Sequence, residues 1–144
     1  MSALGGTIDA GATVGALTEK APILAMVMEA VLTFFLVNTI LHTAVAGRGG
    51  RFAGWAIGTT YAIAILAGGP FTGASLNPAR TFGPAIFSAP SITNVYTYVI
   101  YLFGPLIGST FAVLVYNFFN STDETVEEEA EPVVVVEEIP AKAE

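Results

Sequence analysis

Cysteine is absent from the 144 residues, histidine occurs once, and charged residues make up only 12% of the sequence. Without cysteine, the chain has neither a disulfide framework nor a thiolate metal site. It also lacks paired metal-ligating residues at helical spacing, a glycine-rich loop that holds phosphate, and a basic patch for nucleic acid. The sequence therefore predicts no metal, no cofactor and no nucleic-acid partner.

Signatures of catalysis are equally weak. Residues 73–77 read GASLN, which begins like the nucleophile elbow of hydrolases, but Asn77 stands where that motif has glycine. The single histidine, His42, has no placed partner for a catalytic triad and is better interpreted as an interfacial residue near a span end. We predict that the chain is not an enzyme.

What the sequence does contain is a high share of apolar residues. Hydrophobic residues make up 53% of the chain and mean hydropathy is positive, which is too apolar for an ordinary soluble domain of this length. The net charge of −7 is confined to the end, where residues 123–144 carry nine acids and one lysine. The sequence predicts a membrane protein with an acidic, disordered tail over residues 120–144.

Three apolar runs, about 23–45, 52–71 and 95–119, are long enough to cross ~30 Å of hydrocarbon, which needs about 20 helical residues. A fourth run, about 78–87, covers only roughly half the bilayer as a helix. It is interpreted either as a re-entrant half-helix or as an interfacial loop. The expected fold is an all-α membrane protein with three transmembrane helices and one re-entrant half-helix.

Basic residues set the expected topology. Arg48 and Arg51 lie in the short turn between the first two spans, which places that turn in the cytoplasm. Residues 1–22 then form a loop-like extracellular segment, residues 23–119 form the membrane domain, and the tail returns to the cytoplasm. We expect a multi-pass integral protein of the cell membrane.

The stretch TGASLNPARTFG, residues 72–83, puts polar chemistry into this apolar chain. Non-helical backbone at membrane depth is tolerated where it lines water, so the carbonyl groups of Gly73, Ala74 and Ser75 are expected to form the wall of a path. Asn77 is a favoured helix N-cap and the next residue is proline, so the half-helix starts there with its positive end inward. With the Arg80 cation, the path suits neutral, hydrogen-bonding solutes.

Residues 23–119 resemble the second half of an aquaporin, in the major intrinsic protein family. The resemblance rests on GASLNPARTFGPA, which matches the family's second Asn-Pro-Ala motif, and on MEAVLTFFLV in the first span. It implies one of the two inverted repeats of the aquaporin fold. It also implies a pore with Asn77, Pro78 and Ala79 at its midpoint and a constriction that Ile65, Ala74 and Arg80 form.

The resemblance extends to selectivity and assembly. Water-selective members commonly have histidine where this chain has Ile65, whereas Thr81 and Ala85 favour the water type over the glycerol type. We therefore expect water and some small neutral solutes, such as glycerol, urea or ammonia, to pass. The resemblance also implies that Glu29 holds backbone N–H groups of the re-entrant loop, and that complete channels form homotetramers in the lipid bilayer.

Other interpretations stay open at this point. Arg80 could extend to the outer interface, and Glu29 could be an interfacial carboxylate. The Gly54/Gly58 and Gly104/Gly108 pairs have the spacing of close helix contacts, within the bundle or between protomers.

The chain contains one inverted repeat, so we expect a truncated or split aquaporin that conducts when its missing first half is present. The alternative is an orphan half-channel that acts as an assembly or regulatory subunit without conductance of its own.

Overall fold

The computed structural model describes residues 13–86 and 95–130, with side chains as far as Ser121. Within these residues, three helices are long and apolar enough to cross a membrane. The first, α1, spans Pro22–Val45 and ends in a π-helical turn, and the second, α2, spans Gly50–Thr72 and begins with a 3₁₀ turn. Both ranges agree closely with the predicted spans.

A short helix, α3, follows at Pro78–Ala85. Its eight residues extend about 12 Å, which is too short to cross a bilayer. The last helix, α4, begins as Val95–Tyr98, passes through a π-helical stretch at Val99–Phe103 and continues as Gly104–Ala130. The prediction of an all-α membrane protein with three long helices and one half-helix is confirmed.

A loop with unusual backbone geometry separates α2 from α3. Gly73 ends α2 in the left-handed conformation, with φ of 81°, which is a common helix stop. Ala74 and Leu76 also have positive φ, at 46° and 57°, where a side chain costs about 1–2 kcal/mol per residue. The loop of residues 73–76 is therefore strained at Ala74 and Leu76 and needs external support.

The two glycine pairs behave differently. A Cβ on Gly108 would lie 2.1 Å from the carbonyl oxygen of Ala30, and one on Gly104 would lie 2.8 Å from the Glu29 Cβ. These glycines let α4 pack closely on α1 within one chain. Apart from the neighbouring backbone of α2 itself, an added Cβ on Gly54 or Gly58 would have no described atom within 4 Å, so that face of α2 is open.

The described part of the chain buries polar residues and exposes apolar ones. Glu29, Thr72 and Ser75 are completely buried, whereas Trp55 and Leu66 are 76% and 79% exposed. Two small apolar clusters, one around Leu32 and one around Ile100, also lie in the interior. Such extensive apolar exposure is rare on soluble monomers and is expected for surfaces that face lipid or another membrane segment.

The end of α4 differs from the sequence prediction. The helix extends to Ala130, whereas residues from 120 onward were expected to be disordered. Glutamate and alanine, which dominate residues 124–130, are strong helix formers, so the segment can continue the helix despite its low hydrophobicity. The remainder of the predicted tail, residues 131–144, and the first 12 residues of the N-terminal segment lie outside the described residues.

The turn between α1 and α2 contacts the end of the third span. Arg48 Nη2 donates to Asn120 Oδ1 at 2.8 Å, and Asn120 Nδ2 donates to the Tyr116 carbonyl at 2.9 Å. This contact holds the basic turn and the end of α4 at the same end of the bundle.

Candidate functional site

The strained loop is held by one buried carboxylate. Glu29 Oε1 accepts hydrogen bonds from Thr72 Oγ1 at 2.6 Å and from the Ser75 N–H at 2.9 Å, and its Oε2 accepts from the Leu76 N–H at 2.8 Å. Hydrogen bonds to a charged group contribute about 1.5–3 kcal/mol each. These bonds are large enough to offset the strain at Ala74 and Leu76. The structure thus places Glu29 in the interior and not at an interface.

The loop of residues 73–76 is one-sided in its hydrogen bonding: its backbone N–H donors are paired, whereas in the described part of the chain the carbonyl acceptors of residues 73–75 are not. The N–H of Gly73 donates to the Gly69 carbonyl and that of Ala74 donates to Thr72 Oγ1, so with Ser75 and Leu76 four consecutive donors are paired. Within residues 13–86 and 95–121, no hydrogen bond ends on the carbonyl oxygens of residues 73–75. The loop therefore keeps free acceptors but no free donors from residues 73–76.

Asn77 starts α3 as the N-cap residue. Its backbone is extended, with φ of −153°, and its Oδ1 accepts from the Ala79 N–H at 2.9 Å. Pro78 occupies the first helical position, where its missing N–H costs nothing. Because Oδ1 is bound to Ala79, the Asn77 amide presents its Nδ2 donor on the opposite side, and the residue is exposed. The site thus combines an amide donor at Asn77 with the carbonyl groups of residues 73–75, which precede it in the chain.

The residues of the predicted constriction lie in different environments. Ala74 is completely buried, with its side chain in an apolar cluster that also contains Leu32, Ala64 and Leu76. Ile65 is 37% exposed on α2, and Arg80 is half-buried on α3. The Arg80 Nη1 atom is inaccessible and has no hydrogen-bond partner in the described chain. A joint role of these residues in selectivity stays a prediction.

The predicted wall of carbonyl groups is only partly open in this chain. Gly73 is half-buried, whereas Ala74 and Ser75 are completely buried as whole residues. Buried backbone acceptors in folded proteins nearly always have a donor. The lining role of residues 73–75 therefore also stays a prediction.

Sequence reasoning missed the contribution of the segment before α1. The N–H groups of Ala16 and Leu17 donate to the carbonyl oxygens of Pro70 and Phe71, at 3.0 and 2.9 Å. Gly15 is required there, because a Cβ would lie 2.2 Å from the Phe71 carbonyl carbon. The segment therefore packs directly on the end of α2. A glycine in a Gly/Ala/Thr-rich stretch was its only signal in the sequence.

Tyr101 is a second residue whose structural role the sequence did not reveal. Its side chain is completely buried, and its hydroxyl donates to the Thr72 carbonyl at 2.6 Å. Thr18 Oγ1 lies 3.2 Å from the same hydroxyl and must act as the donor, since the tyrosine hydrogen is already used. The tyrosine thus joins α4, the end of α2 and the segment before α1.

Comparison with known proteins agrees with the motif. The family model of the major intrinsic protein matches residues 6–116. Nodulin-26 of Glycine max is 42% identical over 105 residues, which cover 72% of this chain and 37% of that protein. Aquaporin AqpM of Methanothermobacter marburgensis is 43% identical over 121 residues, which cover 76% and 48%. Aquaporin NIP1-1 of Zea mays is 35% identical over 115 residues, which cover 79% and 39%.

In each of these three comparisons, the matched region is less than half of the relative. The family match over residues 6–116 includes the Asn77-Pro78-Ala79 motif and Glu29, the buried carboxylate that supports the loop before it. The chain therefore belongs to the major intrinsic protein family.

Proposed function

We propose that this chain is the carboxy-terminal half of a passive membrane channel for water and small neutral solutes such as glycerol, urea or ammonia. The observation that carries the proposal is the one-sided loop, which pairs its donors with Glu29 and Thr72 and leaves acceptors beside the Asn77 amide. A solute that both donates and accepts hydrogen bonds suits such a site. Water and alcohols meet this condition, and the family assignment supports the same solute class.

The open face of α2 supports the need for a second half. Gly54, Gly58 and Ile65 follow helical spacing of i, i+4 and i+11, so they share one face of the helix. Because an added Cβ on either glycine would contact no described segment other than α2 itself, we propose that this face contacts the first half of the channel. Ile65 would then lie between the two halves. Complete channels assemble as homotetramers in the cell membrane under this proposal.

The test is stopped-flow light scattering of vesicles under water and glycerol gradients. The chain is reconstituted alone and together with the amino-terminal half of the archaeal relative AqpM. We expect flux above the lipid background only when both halves are present. Asn77→Ala should abolish most of it, and Asn117→Ala, which removes an exposed amide on α4, should not.

Two outcomes would contradict the proposal. Equal flux in Asn77→Ala and in the wild-type pair would show that the amide does not act on the solute. Binding of the two halves without any flux would favour the alternative, a regulatory subunit without conductance of its own.

A further inference from the structure

Three buried hydroxyl groups form a continuous chain beside the strained loop. Thr13 Oγ1 lies 2.5 Å from Thr81 Oγ1, which lies 2.7 Å from Ser75 Oγ. Ser75 Oγ donates to the Asn77 carbonyl oxygen at 2.8 Å. The three residues are 5%, 2% and 0% exposed and belong to the segment before α1, to α3 and to the loop. We call Thr13, Thr81 and Ser75 the hydroxyl chain.

The hydroxyl chain can be satisfied in only one direction. Each hydroxyl carries a single hydrogen. Ser75 uses its hydrogen on the Asn77 carbonyl, so Ser75 must accept from Thr81. Thr81 has then used its own hydrogen and must accept from Thr13. All three hydrogens are used, and the donation runs from Thr13, in the segment before α1, to the peptide group of Asn77.

The hydroxyl chain fixes the orientation of the backbone peptide group that follows the Asn77 side chain. The Asn77 carbonyl accepts from Ser75 Oγ and also from the Arg80 N–H, at 3.1 Å. Two donors on one carbonyl restrict the rotation of that peptide plane. Because Asn77 also caps α3 through its Oδ1, the direction of its Nδ2 group depends on the same peptide.

We propose that Thr81 and Thr13 are positioning residues, which act through Ser75 to hold the Asn77 amide in the orientation that the solute meets. The proposal rests on the proposed function for the role of Asn77, but the hydrogen-bonded arrangement itself can be tested without transport. A fully satisfied buried polar network specifies one arrangement, whereas a network with a missing member leaves buried groups unpaired. Thr81 lies at the centre of the hydroxyl chain, so its hydroxyl matters most.

The first test is amide hydrogen exchange of the full 144-residue chain in detergent micelles. Thr81→Val removes the hydroxyl at nearly constant volume, and Thr81→Ser keeps it. Thr39→Val is the matched control, because the Thr39 hydroxyl bonds to the Phe35 carbonyl and to Thr60 on other parts of the helices.

We expect Thr81→Val, which removes both hydrogen bonds of the central hydroxyl, to raise exchange of the Ser75 and Leu76 amides about tenfold. In Thr81→Ser and Thr39→Val, the exchange rates of these two amides should stay close to those of the wild type. Unchanged exchange in Thr81→Val would overturn the proposal. So would an equal increase along α4, because Thr81 would then support the whole fold and not the loop.

The second test uses the two-half channel in vesicles. Thr81→Val should change the ratio of glycerol flux to water flux about twofold or more, whereas Thr81→Ser should keep the wild-type ratio. A loss of folded channels would lower both fluxes together and leave the ratio unchanged, which would overturn the positioning role. A wild-type channel without flux would refute the proposed function, whereas the exchange experiment would still decide the role of the hydroxyl chain.

Discussion

Glu29→Gln tests how the strained loop is held. Glutamine has almost the same shape as glutamate but supplies one acceptor oxygen in place of two. If that oxygen keeps the bonds from Thr72 and Ser75, the new amide group faces the N–H of Leu76, and two donors oppose each other. The substitution therefore removes one charge-assisted bond and leaves a buried N–H unpaired.

The expected cost of Glu29→Gln is about 3 kcal/mol, since a bond to a charged group is worth about 1.5–3 kcal/mol and an unpaired buried group adds to the loss. The two left-handed residues, Ala74 and Leu76, store about 2–4 kcal/mol of strain between them. The loss is thus comparable with the strain, and the loop should relax out of its bound conformation.

The assay is equilibrium unfolding of the chain in mixed micelles, followed by far-ultraviolet circular dichroism. Glu19→Gln is the control, because Glu19 is exposed and its substitution should change the free energy of unfolding by less than about 0.5 kcal/mol. The two-half channel with Glu29→Gln should also lose water flux. A free energy of unfolding of Glu29→Gln within about 1 kcal/mol of wild type, together with full water flux, would show that the carboxylate does not support the loop.

Four further outcomes are expected. Gly108→Leu should unfold the chain in micelles, since its Cβ would meet the backbone of α1, whereas Gly58→Leu should leave the chain folded and prevent co-purification with the first half. Ile65→His should lower glycerol flux relative to water flux in vesicles, because it narrows the expected constriction. Tyr101→Phe should cost about 1–3 kcal/mol in micelle unfolding, since a buried carbonyl at the end of α2 loses its donor. Arg80→Val should admit protons or alkali cations in a vesicle dye assay, and Arg80→Lys should not.

The sequence predicted the helices well because the signals for them are local. An apolar run of about 20 residues predicts a spanning helix by length alone. An Asn-Pro pair predicts a helix start, and Asn77 and Pro78 indeed begin α3. The sequence alone left Glu29 either inside or at an interface, and its complete burial agrees with the high cost of placing a carboxylate against lipid.

Contacts between distant segments could not be predicted in the same way. The segment of residues 13–18 has no apolar periodicity, and its bonds to α2 depend on backbone positions that only the folded chain creates. Likewise, the Gly54/Gly58 and Gly104/Gly108 pairs have the same spacing in the sequence. Which pair packs inside the chain depends on how each helix is rotated about its axis, and spacing alone does not contain that information.

If the carbonyl groups of residues 73–75 line the path, as proposed, they do not by themselves exclude cations. Rings of backbone carbonyls coordinate alkali ions in cation channels, so the acceptors of residues 73–75 would also attract a cation. On α3, however, Arg80 carries a fixed positive charge, and the N-terminus of that helix at Asn77 adds a partial positive charge. A cation near this site would be attracted by the carbonyls and repelled by both positive groups, whereas a neutral solute is affected only by hydrogen bonding. Removal of the Arg80 charge alone should therefore weaken cation exclusion while water still passes.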